Sequence, residues 1–163
     1  MLQLIPQGWL GWNFDVLDND GKVAEIKTST LPESGTFALG GTNYRAYRER
    51  MFSGDFFLEQ DGQQIARAQK PGAFRSSFEI TYIDQSYKLT KQSLVSRSLI
   101  LFEGDVEVGC IRPESCLSRK ATVSLPEAMP AAVQLFVIWL AILLWKRDSD
   151  AGAAVAASVA ASS

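Results

Sequence analysis

The chain has 163 residues, with 16 Lys and Arg against 18 Asp and Glu, and its net charge is −2. This length suits one domain with a substantial core, and the balanced charge argues against a global attraction to nucleic acid. The sequence contains no histidine, which excludes Ser-His-Asp and Cys-His nucleophilic catalysis. It also lacks a glycine-rich phosphate loop and a metal-ligand motif, so we expect a non-enzymatic protein with neither cofactor nor metal.

The N-terminal residues 1–18 contain neither a basic segment nor a sustained apolar run, so we expect no secretory signal and a cytoplasmic location. The two cysteines, Cys110 and Cys116, have no further Cys or His to complete a disulfide framework or a zinc site. We therefore expect both to be small apolar side chains, buried or half-buried.

Four hairpins are predicted in chain order by polar turn residues between β-prone runs. The segment Asp18-Asn19-Asp20-Gly21 separates runs at 12–17 and 23–28, and Asp-Gly supplies the positive φ angles of tight turns. The same pattern recurs at Asp61-Gly62, Asp84-Gln85-Ser86 and Gly104-Asp105. These last three turns lie about 20 residues apart, which is typical of an up-and-down antiparallel meander.

Further strands are predicted at 36–39, 43–49 and 121–125, with Gly40-Gly41 as a turn, giving roughly ten or eleven strands in all. An open antiparallel sheet of that size usually curls or closes, because flat edges invite aggregation. A closed barrel this large needs something to fill it. The fold class expected is therefore mainly β, a closed antiparallel barrel.

Residues 131–145 form an apolar run with one polar side chain, Gln134, and no charge. A helix that is apolar on every side must be surrounded by lipid or by its own protein. At about 1.5 Å per residue this run reaches only about 22 Å, short of a hydrocarbon core of about 30 Å. Barrel strands of six to eight residues span about 20–26 Å, which matches the length of this run as a helix. We expect a helix buried inside the barrel, with a tail anchor as the alternative.

Two starts for this helix remain open. Ser124 and Glu127 fit a capping box, whereas Pro130 fits the first turn of a helix. We expect a helix over about 127–147 within a domain at 1–148. The low-complexity segment 149–163 is expected to be a disordered tail, with an Ala-rich extension of the helix as the alternative.

Four segments resemble the tubby C-terminal-like superfamily, and within it the LURP-one-related proteins. They are FDVLDNDGKVAEIK, FEITYIDQSYKLTKQ, SLILFEGDVEVGCIRP and ATVSLPEAMPAAVQLFVIWLAILLW. The last is the most specific, because a strand is followed by Leu-Pro, a second Pro and a long apolar helix ending in Trp-Lys-Arg. The resemblance covers about residues 10–147 and implies a twelve-stranded barrel threaded by a hydrophobic C-terminal helix.

The resemblance also implies a lipid connection. Tubby proteins bind phosphoinositide headgroups through basic residues on the barrel wall, and phospholipid scramblases share the barrel. This chain lacks a clustered Lys-Arg motif that matches the tubby lipid site, so no residue is carried over from the family.

Basic residues are nevertheless concentrated at 41–100, where nine Lys or Arg stand against six acids. Adjacent strands could align several of them into a surface for anionic lipid, although an ordinary solvated barrel wall explains them as well. The candidate lipid contacts are Arg45, Arg48, Arg50, Arg67, Lys70 and Arg75.

Three functional hypotheses follow. The first is a non-enzymatic tubby-like barrel, monomeric, cytoplasmic and peripheral at a membrane, that binds anionic phospholipid headgroups or a protein partner but no nucleic acid. The second is a β-rich domain anchored in a membrane by its C-terminal helix. The third is a small-molecule-binding barrel or an enzyme without a recognisable motif.

Overall fold

A computed structural model describes residues 1–72 and 76–163. Its strands form one closed antiparallel barrel in which each strand pairs with its neighbours in the chain, and the first strand pairs with the last. The strands are β1 (Leu2–Pro6), β2 (Phe14–Asp18), β3 (Gly21–Ser29), β4 (Ser34–Leu39), β5 (Thr42–Arg48), β6 (Asp55–Gln60), β7 (Gln63–Gln69), β8 (Ser77–Tyr82), β9 (Gln85–Lys91), β10 (Leu99–Glu103), β11 (Val106–Pro113) and β12 (Ala121–Ser124). The single helix of the described chain is α1 (Ala131–Ser162). The predicted barrel with a C-terminal helix is thus confirmed.

The predicted hairpins are present, with small shifts in their turns. Asp61 and Gly62 have φ angles of 50° and 83°, as a tight turn with two left-handed residues requires. The turn predicted at 84–86 lies one residue earlier, at 83–84. The strand that the sequence pattern missed is β1, which pairs with both β2 and β12 and closes the barrel.

The two ends of the barrel differ in their connections. One end, the tight-turn end, joins its strands through two-residue turns at 19–20, 40–41, 61–62, 83–84 and 104–105. The opposite end, the loop rim, consists of the longer connections 7–13, 30–33, 49–54, 92–98 and 114–120, and of the described residues 70–72 and 76 between β7 and β8. The helix enters at the tight-turn end and leaves through the loop rim, because β12 runs from the rim to the tight-turn end.

The first half of the helix fills the barrel. Every residue from Ala132 to Trp145 is buried except Gln134, which is half-buried. Trp139 packs against Phe136 on its own helix and against Phe56 of β6, both with ring centroids 6.1 Å apart. The expectation of a helix buried by its own barrel is confirmed.

The helix starts at Ala131, directly after Pro130, so the capping box expected from Ser124 and Glu127 does not form. The one polar side chain in the apolar run, Gln134, forms hydrogen bonds. Its Nε2 donates to the carbonyl oxygens of Pro126 and Met129 at 3.2 and 2.9 Å. These bonds satisfy backbone acceptors in the connection from β12.

The helix is longer than expected, because it continues through 149–162, where the sequence predicted a disordered tail. This extension is exposed throughout. Its alanines have the highest helix propensity, and a helix already formed inside the barrel removes the cost of nucleation. Within the described residues, no helix combines the length and apolarity needed to cross a membrane.

Cys110 is half-buried, as expected. Cys116 is exposed in the loop rim, which corrects the expectation that both cysteines would be at least half-buried. Its loop is held away from the core by a hydrogen-bonded closure that the local sequence does not reveal.

Candidate functional site

Charge is divided between the two ends of the barrel. The tight-turn connections together with 125–130, all within the described chain, carry five acids and no base: Asp20, Asp61, Asp84, Asp105 and Glu127. The described residues of the loop rim carry five bases and three acids: Arg50, Lys70, Arg97, Arg119, Lys120, Glu33, Glu49 and Glu114. The net charge is therefore −5 at the tight-turn end and five minus three, or +2, at the loop rim. The molecule is electrically polarised along the barrel.

An ion-pair cluster joins the helix to the rim. Arg147 donates from Nε and Nη2 to the two carboxylate oxygens of Glu33 at 3.1 and 2.8 Å, and Arg48 donates to the same group at 3.1 Å. Both guanidinium groups lie over the ring of Phe56, at 5.5 and 5.6 Å from its centroid. Two-point pairing and cation–π contact together fix the place where the helix leaves the barrel.

The cluster shifts the pKa of its own carboxyl group and of a neighbouring lysine. Burial raises the pKa of Glu33, but hydrogen bonds and charges from Arg147 and Arg48 outweigh it and leave the pKa lowered. Lys70, half-buried nearby, has a lowered pKa because of burial and because of the positive charges of Arg147 and Arg48.

Acid is expected to weaken the fold partly through Glu33. Because its pKa is lower in the folded protein than its ordinary value of 4.5, its ion pairs stabilise the fold above that value and are lost as the pH falls through the folded pKa. The melting temperatures of wild type and Glu33→Gln should be compared from about pH 7 to about pH 3. Wild type should melt at a higher temperature at neutral pH, and the difference in melting temperature should shrink in acid. Glu114→Gln, an exposed rim acid, is the control, and an equal gap for it would contradict this role.

Arg97 links two loops of the rim to the helix. Its Nη1 donates to the carbonyl oxygens of Cys116 and Ser118, at 3.2 and 2.8 Å, in the next loop around the rim. Its guanidinium lies 5.4 Å from the ring centroid of Trp145, and the Trp145 indole N–H donates to the Arg97 carbonyl at 2.8 Å. The loop 114–120 is thereby held against the helix exit.

Arg119 repeats this arrangement one loop further on. Its Nη2 donates to the carbonyl oxygens of Gly8 and Trp9 at 2.6 Å each, its Nη1 donates to Gly11, and it lies over the ring of Trp12. Two successive loop arginines therefore each clamp the backbone of the following loop. Their charges lie at the rim, and their hydrogen bonds hold the neighbouring loops in position.

The candidate lipid contacts from the sequence fall into two groups. Arg50 and Lys70 lie in the loop rim, and Arg48 is the last residue of β5 beside it. Arg45 and Arg67 lie on the outer wall, where Arg45 stacks over Tyr47 at 4.7 Å and Arg67 pairs with Asp55 at 2.5 Å. Arg75 lies outside the described residues.

Sequence reasoning did not select Arg97, Arg119, Lys120 or Arg147 as functional. Arg97 belongs to the basic segment 41–100, whereas Arg119, Lys120 and Arg147 stand after it, and the antiparallel strand order brings all four to the same end. The repeated Ser-Arg at 96–97 and 118–119 is the signal that could have found two of them.

Fold and site together define a class of protein: a closed antiparallel barrel filled by its own helix, with one basic and one acidic end. Because the helix occupies the lumen, a ligand must use the outer surface or the ends. In the described residues no group of three or more His, Cys, Asp or Glu is placed to hold a metal ion. Comparisons with protein-family models, with curated proteins and with solved structures find no match for the chain.

Proposed function

We propose that the protein is a non-enzymatic, tubby-like barrel that binds the surface of anionic phospholipid membranes through its loop rim. The observation that carries this proposal is the separation of charge, with +2 on the described rim residues and −5 on the tight-turn end. An anionic surface attracts the first end and repels the second. The same field therefore both binds the molecule and orients it.

The magnitude of this attraction is adequate for reversible binding. Each basic residue near an anionic membrane contributes on the order of 1 kcal/mol. Arg50 and Lys120 are exposed, so they can approach headgroups without breaking the clamps made by Arg97 and Arg119. In the cluster of Glu33, Arg48 and Arg147 two positive charges stand against one negative charge, which adds to the same end.

The other functional hypotheses receive less support. A barrel that stores a small molecule commonly holds it in the lumen, and here the helix occupies that space. A protein partner with an acidic surface would bind the same rim. Binding to vesicles made of lipid alone distinguishes a lipid partner from a protein partner.

We expect the purified protein to sediment much more strongly with vesicles of phosphatidylcholine and phosphatidylserine than with vesicles of phosphatidylcholine alone. Binding should weaken as salt rises, because screening shortens the Debye length to about 8 Å near 0.15 M. The paired change Arg50→Glu with Lys120→Glu should reduce affinity at low salt at least about tenfold.

A matched control separates rim from wall. Arg45→Glu with Arg67→Glu makes the same change in net charge on the outer wall, and we expect it to weaken binding less than the rim pair does. Equal loss from both pairs would move the lipid surface to the wall. Absence of binding to anionic vesicles at low salt would remove the proposed function.

A further inference from the structure

Four loops of the rim share one backbone design. In each, the N–H of the first residue donates to the carbonyl of the seventh: Gln7 to Asn13, Glu49 to Asp55, Gln92 to Ser98 and Glu114 to Lys120, at 2.8 to 2.9 Å. Such a closure makes a compact loop whose middle residues stand away from the barrel. Loops from four different strand pairs thus acquire the same shape.

A serine at the fifth position tightens three of these loops. The N–H groups of Ser53, Ser96 and Ser118 donate to the carbonyl of the second loop residue at 3.0 to 3.3 Å. Their hydroxyl oxygens accept from the N–H of the seventh residue at 3.0 to 3.4 Å. The fourth loop, 7–13, is held instead by Arg119. All four tips are therefore fixed in position.

These fixed tips display apolar side chains to solvent. The third and fourth loop positions are Trp9-Leu10, Met51-Phe52, Leu94-Val95 and Cys116-Leu117. Exposure reaches 95 % for Trp9, 91 % for Phe52, 99 % for Leu94 and 92 % for Leu117. Large exposed apolar side chains gathered at one end of a protein mark an interaction surface.

We infer that the four loop tips insert into the interfacial layer of an anionic bilayer, an inference that rests on the proposed function and specifies how the rim binds. Trp, Phe and Leu side chains gain free energy at the boundary between headgroups and acyl chains. Arg50, at the second position of its loop, and Lys120, at the seventh of its own, stand beside the tips at headgroup depth. The partner is lipid because its charge complements the rim and its plane matches a ring of separate tips.

Insertion predicts that Trp9 meets acyl chains. Phosphatidylcholine and phosphatidylserine vesicles with brominated acyl chains should quench wild-type tryptophan emission. Trp9→Phe, which keeps an apolar tip, should bind equally but lose much of the quenching, because Trp139 and Trp145 are buried and Trp12 is half-buried beneath the guanidinium of Arg119. Binding of wild type without quenching beyond that of Trp9→Phe would overturn insertion.

Insertion also predicts a component of binding that salt does not remove. A variant with Trp9→Ser, Phe52→Ser, Leu94→Ser and Leu117→Ser should bind at least about tenfold more weakly than wild type at about 1 M salt, where the Debye length is about 3 Å. The control, Ile83→Ser with Val106→Ser, changes exposed apolar residues at the tight-turn end and should bind as wild type does. Thermal unfolding of each variant verifies the fold.

The outcomes separate the two proposals. Binding at low salt that vanishes at high salt, without Trp9 quenching, overturns insertion and keeps electrostatic docking. Absence of binding to anionic vesicles at any salt overturns both. Unchanged vesicle binding by the four-tip variant, together with loss of a wild-type dimer in vesicle-free solution, would instead assign the rim to contact between copies and overturn insertion.

Discussion

Ile138→Asp is expected to prevent folding. Ile138 lies in the middle of the buried part of α1 and is fully enclosed by the barrel. A carboxylate there would be desolvated, and no basic residue is placed beside it in the apolar run 131–145. The cost, about 5 kcal/mol or more, rivals the whole stability of a domain of this size, about 5–15 kcal/mol. Circular dichroism and soluble yield are the measurements.

Two further variants keep this prediction falsifiable. Val155→Asp places the same charge on the exposed extension of the same helix and should change stability by no more than about 0.5 kcal/mol. Ile138→Val removes one methylene and should cost about 0.5–1.5 kcal/mol, measured by denaturant unfolding. Wild-type melting of Ile138→Asp would contradict a helix that serves as the core.

Gly35→Ala is expected to destabilise the barrel strongly. Gly35 faces inward from β4, and a Cβ there would lie 2.5 Å from Cδ1 and Nε1 of Trp139. Neither the strand backbone nor the enclosed indole can move far, so overpacking should cost about 3 kcal/mol, the upper part of the usual range. Denaturant unfolding measures the loss.

The neighbour responsible can be identified by a double-mutant cycle. Trp139→Ala removes the whole indole that the new methyl would meet, so Gly35→Ala should cost less in that background. Gly72→Ala, where a Cβ would meet nothing within 4 Å, is the control and should be nearly neutral. Additive costs in the cycle would show that the clash is with another group.

The sequence predicted the architecture because each of its signals is local. Asp-Gly turns and alternating apolar residues are read within single hairpins, and Phe78 and Ile80 are buried while Glu79 and Thr81 are exposed, as their alternation requires. The apolar run 131–145 predicted a helix with no polar face, and the length of that helix matched the height of the barrel that surrounds it. The resemblance to tubby-like barrels remains a proposal.

Two elements depend on tertiary contacts that local sequence patterns do not reveal. Strand β1 contains Pro6 and only five residues, a weak signal, yet pairing with β2 and β12 on its two sides makes it part of the closed sheet. The segment 149–162 looked disordered by composition, but a helix already formed inside the barrel propagates into it.

The sequence by itself determined a barrel with an internal helix, because periodicity and burial are properties of neighbouring residues. Only the tertiary structure decided where the charges and exposed apolar residues meet. Arg119 reaches Gly8 and Trp9 across more than a hundred residues of chain, and Arg97 reaches Ser118 across a closed pair of strands. Antiparallel pairing places alternate connections at one end, and the pairing of β1 with β12 brings loop 7–13 beside loop 114–120. Sequence separation carries no record of either distance.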